Sequence, residues 1–159
     1  MICGVRSSGL YPSLVLAIRD MRTANDRDEE TGNGEGNRSW IALALGMVVL
    51  DTLSGQGSGV WARWKRLLTE HGVTEVDARL IYGFRCSLLH GYGLPRREQT
   101  GGLGVVTTGR RRGYAIDTSG RDLVDLSVPL FCSLLVERIA VEAADDWDVT
   151  LIDVNKPIP

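Results

Sequence analysis

Apolar residues recur every three to four positions over most of the chain, a spacing that predicts amphipathic helices. In the first such segment Leu14, Ile18 and Met21 share one stripe, and Pro12 suits an opening turn. Glycine-rich polar breaks, such as "SGQGSG" at 54–59, separate the segments. Ser127 and Pro129 are suited to open the last one. The pattern predicts five helices, at 10–25, 40–53, 60–71, 76–90 and 128–145.

The pattern changes before the last helix, where "GLGVVTTGRRRGYAIDTSG" is β-branched and interrupted by glycine. This composition predicts a β-hairpin over 103–118, with 105–108 paired to 114–117. Arg110, Arg111 and Arg112 would form its turn, either contacting phosphate or lying in solvent. We therefore expect one mainly all-α domain over 1–159. It would be a bundle of four to five helices with a small β-hairpin inserted before the last helix.

The charge balance is close to neutral, since 18 Lys and Arg residues face 20 Asp and Glu residues. No strong overall field would draw in nucleic acid, so any anion site must be local or assembled between subunits. Lys65 and Lys156 are the only lysines. The other basic residues are arginines, which suit bidentate contacts to phosphate.

Metal, cofactor and membrane signals are weak in this sequence. The three cysteines lack the Cys-x-x-Cys spacing, and the two histidines are nineteen residues apart. We therefore expect no metal site and no cofactor. The longest apolar run, "WIALALGMVVL", is too short to span a bilayer, and the first residues do not resemble a signal peptide. The sequence predicts a cytoplasmic protein without a membrane partner.

The stretch "YGFRCSLLHGYGLP" places Arg85 and His90 in one apolar segment. Residues five apart point about 140° from each other on a helix, but Gly91 and Gly93 predict that the helix breaks at His90. The imidazole could then turn back toward the guanidinium. Arg85 can bind a phosphate and stabilise its developing charge, and His90 can transfer protons near neutral pH. The plainer alternative is a histidine that caps a helix in an arginine-rich chain.

This stretch resembles the signature of the HEPN superfamily, whose ribonucleases carry an Arg-x4–6-His motif at the end of a bundle helix. Arg85 and His90 take the motif positions, and Cys86 takes the polar position that is often asparagine. The resemblance implies a homodimer in which two motifs share a cleft. It also implies metal-independent endoribonuclease activity on RNA, often in toxin–antitoxin or antiviral defence. Some members of the superfamily only bind.

The words "HGY" extend the resemblance to one form of HEPN toxin. In that form the motif reads Arg-x4-His-x-Tyr, and a nucleotidyltransferase antitoxin modifies the tyrosine with AMP. Tyr92 takes that position here, which implies an antitoxin partner. The alternative is a loop aromatic that packs its ring. The inserted hairpin departs from the compact form of those toxins.

Further residues are candidates to support the site. Asp51 falls in an apolar stripe and needs a partner, either Arg85 or another arginine, unless it lies at the wet edge. Tyr82 either lines a cleft and stacks on a base or borders the core. Arg96 and Arg97 follow the motif and could guide RNA or lie in solvent.

Three hypotheses about function remain open at this point. The first is a HEPN-like ribonuclease acting as a homodimer. The second is a non-catalytic HEPN-like module that binds RNA, a nucleotide or a protein. The third is a structural dimerisation domain in which Arg85 lies buried against Asp51.

Overall fold

The computed structural model describes residues 10–31, 37–91, 93–120 and 122–143. Four helices come first: α1 Leu10–Thr31, α2 Asn37–Leu53, α3 Val60–Glu70 and α4 Glu75–Gly91. A last helical segment, here called the C-terminal helix, is α-helical at Val128–Leu130, π-helical at Phe131–Glu137 and α-helical again at Arg138–Glu142. The predicted mainly helical class is confirmed. Helix α1 continues beyond the predicted end at 25, through residues that include arginine and glutamate, both good helix formers.

The hydrophobic core lies between the helices. Helix α1 packs along α2, α3 packs on α4, and the C-terminal helix lies against α1 and α2. Each of these helices contributes large side chains that are almost completely buried: Ile18, Met21, Leu43, Met47, Leu50, Trp64, Leu68, Ile81, Phe84, Leu88 and Phe131. Gly46 permits a close approach of α2 to the C-terminal helix, because a Cβ there would lie 3.0 Å from the Phe131 ring. This packing also brings α2 into contact with α4.

A three-stranded sheet lies between α4 and the C-terminal helix in the chain. Its strands are β1 Gly104–Thr108, β2 Ile116–Asp117 and β3 Leu123–Ser127, in the order β1-β3-β2. Strand β3 is parallel to β1, with Val124 opposite Val105, and antiparallel to β2. The predicted hairpin is therefore wrong, because β1 and β2 each pair with β3 instead of with each other. Strand β3 is the central strand of the sheet, and its Val124 and Leu126 are fully buried. The predicted hairpin did not include this strand.

Strand β3 leads directly into the C-terminal helix. The Ser127 side chain accepts a hydrogen bond from the Leu130 amide, and Pro129 lies in the first turn. The predicted opening of this helix is confirmed. Within the four described ranges, no helix is both long and apolar enough to cross a membrane.

Candidate anion-binding site at Arg85

Arg85 extends from α4 toward the last turn of α2, where Asp51 lies. The guanidinium donates to Asp51 Oδ1 from Nε at 3.2 Å and from Nη2 at 3.0 Å. The Arg85 side chain is only 14% exposed, whereas that of Asp51 is 38% exposed. The sequence left open whether Asp51 pairs with Arg85 or with another arginine. In the structure Asp51 pairs with Arg85. The ion pair joins α2 to α4 across a half-buried surface.

The same carboxylate oxygen has a third donor, which the sequence did not suggest. The indole Nε1 of Trp64, on α3, donates to Asp51 Oδ1 at 2.8 Å. Trp64 is completely buried, and a buried indole N–H needs an acceptor. That requirement is the signal that could have pointed to Trp64. Three hydrogen bonds to one oxygen fix the orientation of the carboxylate and therefore of the guanidinium.

The hydrogen bonds to Asp51 use one edge of the Arg85 guanidinium. A guanidinium has five N–H donors in a planar fork, and Nε and one side of Nη2 face Asp51. The edge formed by Nη1 and the other side of Nη2 faces away from Asp51. This edge has the geometry for a bidentate contact to a phosphate or carboxylate. Asp51 thus holds the guanidinium by one edge, and the other edge carries the donors that an anion would need.

Cys86 lies beside Arg85 and Tyr82 and influences both. Burial by itself would lower the pKa of Arg85, but the charge of Asp51 and hydrogen bonds to Cys86 and Asp51 outweigh it and raise that pKa. Burial, followed by the influence of Cys86, also raises the pKa of Tyr82 against the opposing charge of Arg85. Arg85 therefore stays cationic, and Tyr82 stays a neutral phenol, at every physiological pH. Cys86 is half-buried and has a free thiol.

Aromatic rings surround Arg85 and continue along the contact between α3 and α4. The guanidinium carbon lies 6.0 Å from the Trp64 ring centre and 5.9 Å from that of Tyr82. The Tyr82 ring lies 5.2 Å from the ring of Trp61, and Arg79 lies 5.2 Å above that ring. We call these five side chains, Arg79, Trp61, Tyr82, Trp64 and Arg85, the arginine–aromatic row. Tyr82 is therefore at the centre of the row, half-buried between the core and Arg85.

His90 lies in the last turn of α4 and is exposed. The helix ends within one residue of the predicted point, at Gly91, where the Gly93 amide donates to the Ser87 carbonyl at 3.3 Å, so His90 itself is still helical. Arg85 and His90 therefore keep an angular separation of about 140° around the helix. The His90 imidazole has no hydrogen bond or ion pair with the described residues. One chain does not bring the two motif residues together.

The remaining candidates near the motif lie in the loop that follows α4. Arg96 and Arg97 are both exposed, and Arg97 Nη1 donates to the Gly102 carbonyl at 3.2 Å. Ser87 donates to the Gln99 side chain at 2.9 Å and ties this loop to α4. Arg96 thus remains available to a ligand, whereas Arg97 is partly engaged in its own loop. Tyr92 lies outside the described residues.

The three arginines before β2 do not form a hairpin turn. Arg110 donates to the carbonyls of Arg112 and Tyr114 at 2.7 and 2.8 Å and lies 3.4 Å from a carboxylate oxygen of Asp125. Arg111 donates to the Asn25 carbonyl on α1 at 3.0 Å. Arg110 and Arg111 therefore hold the segment between β1 and β2 against the rest of the fold, while Arg112 is exposed.

The surroundings of Arg85 contain no set of metal ligands. Across the described part of the chain, no three His, Cys, Asp or Glu side chains are grouped as a metal ion would require. The side chains grouped around Arg85 are a carboxylate, an indole, a phenol and a thiol. Comparisons of this chain with family models, with curated proteins and with solved structures each gave no match.

Proposed function

We propose that this protein binds RNA through the open edge of Arg85 and cleaves it as a metal-independent endoribonuclease of the HEPN type. The observation that carries the proposal is the hydrogen bonding of Arg85 Nε and Nη2 to one oxygen of Asp51. It holds the cation rigidly and leaves a bidentate edge for the scissile phosphate. A preorganised cation of this kind stabilises charge that develops in a transition state.

The reaction uses the RNA's own nucleophile. The ribose 2′-hydroxyl loses its proton to a base and attacks the adjacent phosphorus, so that the O2′–P bond forms as the P–O5′ bond breaks. The 5′ oxygen leaves with a proton, which gives a 2′,3′-cyclic phosphate and a 5′-hydroxyl. Arg85 neutralises charge on the phosphoryl oxygens. His90 carries the proton.

The position of His90 makes a homodimer part of this proposal. His90 is exposed and points away from Arg85 of its own chain, because α4 continues past it. A second copy would bring its own His90 to the phosphate held by Arg85, and each cleft would combine residues of two chains. The resemblance to HEPN toxins adds an antitoxin partner that transfers AMP to Tyr92.

The test is cleavage of an end-labelled RNA in EDTA by the purified protein and by Arg85→Ala and His90→Ala variants. Both substitutions should abolish the cyclic phosphate product, whereas Arg138→Ala, which removes an exposed arginine on the C-terminal helix, should not. Circular dichroism would check that every variant is folded. Cleavage that persists in both the Arg85→Ala and the His90→Ala variant would refute this function.

A second function, a non-catalytic module that binds RNA or a nucleotide, is favoured by the separation of Arg85 from His90. Here Arg85 is the anion ligand and His90 takes no part. Binding that requires Arg85, is indifferent to His90→Ala and produces no cleavage at any protein concentration would select this function. If Arg85→Ala changes stability but neither binding nor cleavage, the Asp51–Arg85 pair is only a structural ion pair.

A further inference from the structure

The arginine–aromatic row becomes more exposed from Arg85 toward Arg79. Trp64 is completely buried, Tyr82 and Trp61 are half-buried, and Arg79 is exposed. The Trp61 indole therefore lies at the outer end of the row, where solvent reaches part of its surface. Large aromatic rings at a surface are suited to contact flat apolar ligands.

The neighbours of Trp61 cover its ring only in part. Tyr82 approaches at an interplanar angle of 52°, a tilted contact that does not cover a full face of the indole. Arg79 lies 5.2 Å above the ring. The Arg79 guanidinium has no hydrogen bond or ion pair among the described residues. After the hydrogen bond and charge of Lys65, its charge also contributes to lowering the pKa of Glu75, one turn earlier on α4. Arg79 is exposed, so a ligand that enters could displace its side chain from the ring or be covered by it.

We infer that Trp61 and Arg79 form a stacking subsite for an unpaired nucleobase of the RNA whose phosphate lies on Arg85. The inference rests on the proposed function, because Arg85 supplies the phosphate contact. A base would stack on the indole, and the planar guanidinium of Arg79 would cover its other face. Tyr82 contacts both Trp61 and Arg85, so the base subsite and the cation are neighbours in the row.

The chemistry of this subsite defines the class of ligand. Every nucleobase has a π face, so stacking discriminates little between sequences. A base in a duplex is already stacked on its neighbours and paired, and it would have to leave both to reach Trp61. The subsite should therefore select single-stranded RNA over duplex RNA, without a strong base preference. A plain alternative is that Arg79 only shields the ring from water, and the experiment separates the two.

The experiment compares two ligands of equal length and charge. One is a short single-stranded 2′-O-methyl oligonucleotide, which cannot be cleaved through its 2′ oxygen. The other is a phosphodiester chain of base-less tetrahydrofuran residues. Trp61→Ala should weaken binding of the oligonucleotide by roughly 5- to 150-fold, the range found when a stacking side chain is removed. It should leave binding of the base-less chain unchanged.

Two further variants keep the experiment decisive if Trp61→Ala does not fold. Trp61→Phe retains a ring that packs and stacks, and it should lose only part of the affinity for the oligonucleotide. Arg79→Ala removes the covering guanidinium at an exposed position. It should weaken binding of the oligonucleotide more than binding of the base-less chain. Arg66→Ala, also exposed but outside the row, is the matched loss of charge and should affect both ligands equally.

The outcomes distinguish this subsite from the proposed function. If Arg85→Ala weakens both ligands while the Trp61 and Arg79 variants behave as Arg66→Ala, the subsite is refuted and the phosphate site stands. If Trp61→Ala acts on the oligonucleotide alone but Arg85→Ala has no effect, the subsite stands without the phosphate contact. Absence of binding of either ligand to the wild-type protein refutes both.

Discussion

One oxygen of Asp51 accepts hydrogen bonds from both Nε and Nη2 of Arg85, at 3.2 and 3.0 Å. The two residues are 34 positions apart in the chain and come from different helices. This contact orients the arginine of the candidate motif and also joins the end of α2 to α4. It therefore has consequences for stability as well as for ligand binding.

Removing the carboxylate should destabilise the fold. Asp51→Ala leaves Arg85, which is largely buried, and the Trp64 indole without their acceptor, at an expected cost of about 1–3 kcal/mol. Urea unfolding measures the change. The matched control is Arg138→Ala, which breaks an exposed ion pair with Glu142 and should cost about 0.5 kcal/mol or less. Equal losses for the two variants would mean that Asp51 does not fix Arg85.

The Trp64 indole should contribute to stability through its hydrogen bond to Asp51. Trp64→Phe removes the N–H group but keeps an aromatic ring in the core, so we expect a loss of stability and weaker binding of RNA. The hydrogen-bonding part of this loss should disappear in an Asp51→Ala background, because the acceptor is already absent. A double-mutant cycle in urea should give a coupling of about 0.5–1.5 kcal/mol. Simple additivity of the two substitutions would contradict the arrangement.

The buried thiol of Cys132 should make stability depend on alkaline pH. Burial, helped by the charge of Glu137, raises the pKa of Cys132 to about 12. The unfolded chain releases this proton at a pH near 8.5. As the pH rises above that value, the unfolded state loses the proton first and the folded state is progressively destabilised, until the pH passes about 12.

Stability curves between these pH values test the effect. The wild-type protein should lose up to about 1.4 kcal/mol per pH unit more than Cys132→Ala. The comparison uses the slopes against pH, since the substitution also leaves a cavity that shifts the whole curve. Parallel curves for the two proteins would show that the thiol ionises as readily in the fold as in the unfolded chain.

Gly46 should resist substitution although it lies inside a helix. A Cβ at this position would lie 3.0 Å from the Phe131 ring and 3.1 Å from Val136 Cγ2, so Gly46→Ala overpacks the contact between α2 and the C-terminal helix. We expect a loss of about 1–3 kcal/mol, larger than the helix propensity that alanine contributes. Gly91→Ala is the matched control, since a Cβ there meets nothing within 4 Å. Thermal unfolding of both variants measures the change, and Gly91→Ala should be neutral or stabilising.

Much of the fold follows from local patterns in the sequence. The apolar spacing identified the helices because a stripe with a period of 3.6 residues can be buried only by a helix. Ser127 and Pro129 marked the start of the C-terminal helix through local hydrogen bonding and a fixed backbone angle. Asp51 stood out because a carboxylate in an apolar stripe requires a partner. None of these inferences needs knowledge of a distant contact.

The remaining features depended on which distant segments meet. Only the tertiary structure decided that β3 lies between β1 and β2, because the order of strands depends on which distant segments pair. The fully buried Val124 and Leu126 then hold β3 against the core. Only packing of α2 and α3 against α4 gave Arg85 both Asp51 and Trp64 as neighbours. The sequence by itself determined that Arg85 and His90 lie on one helix. The continuation of that helix to Gly91, closed by the Gly93–Ser87 hydrogen bond, decided that they face different sides of it.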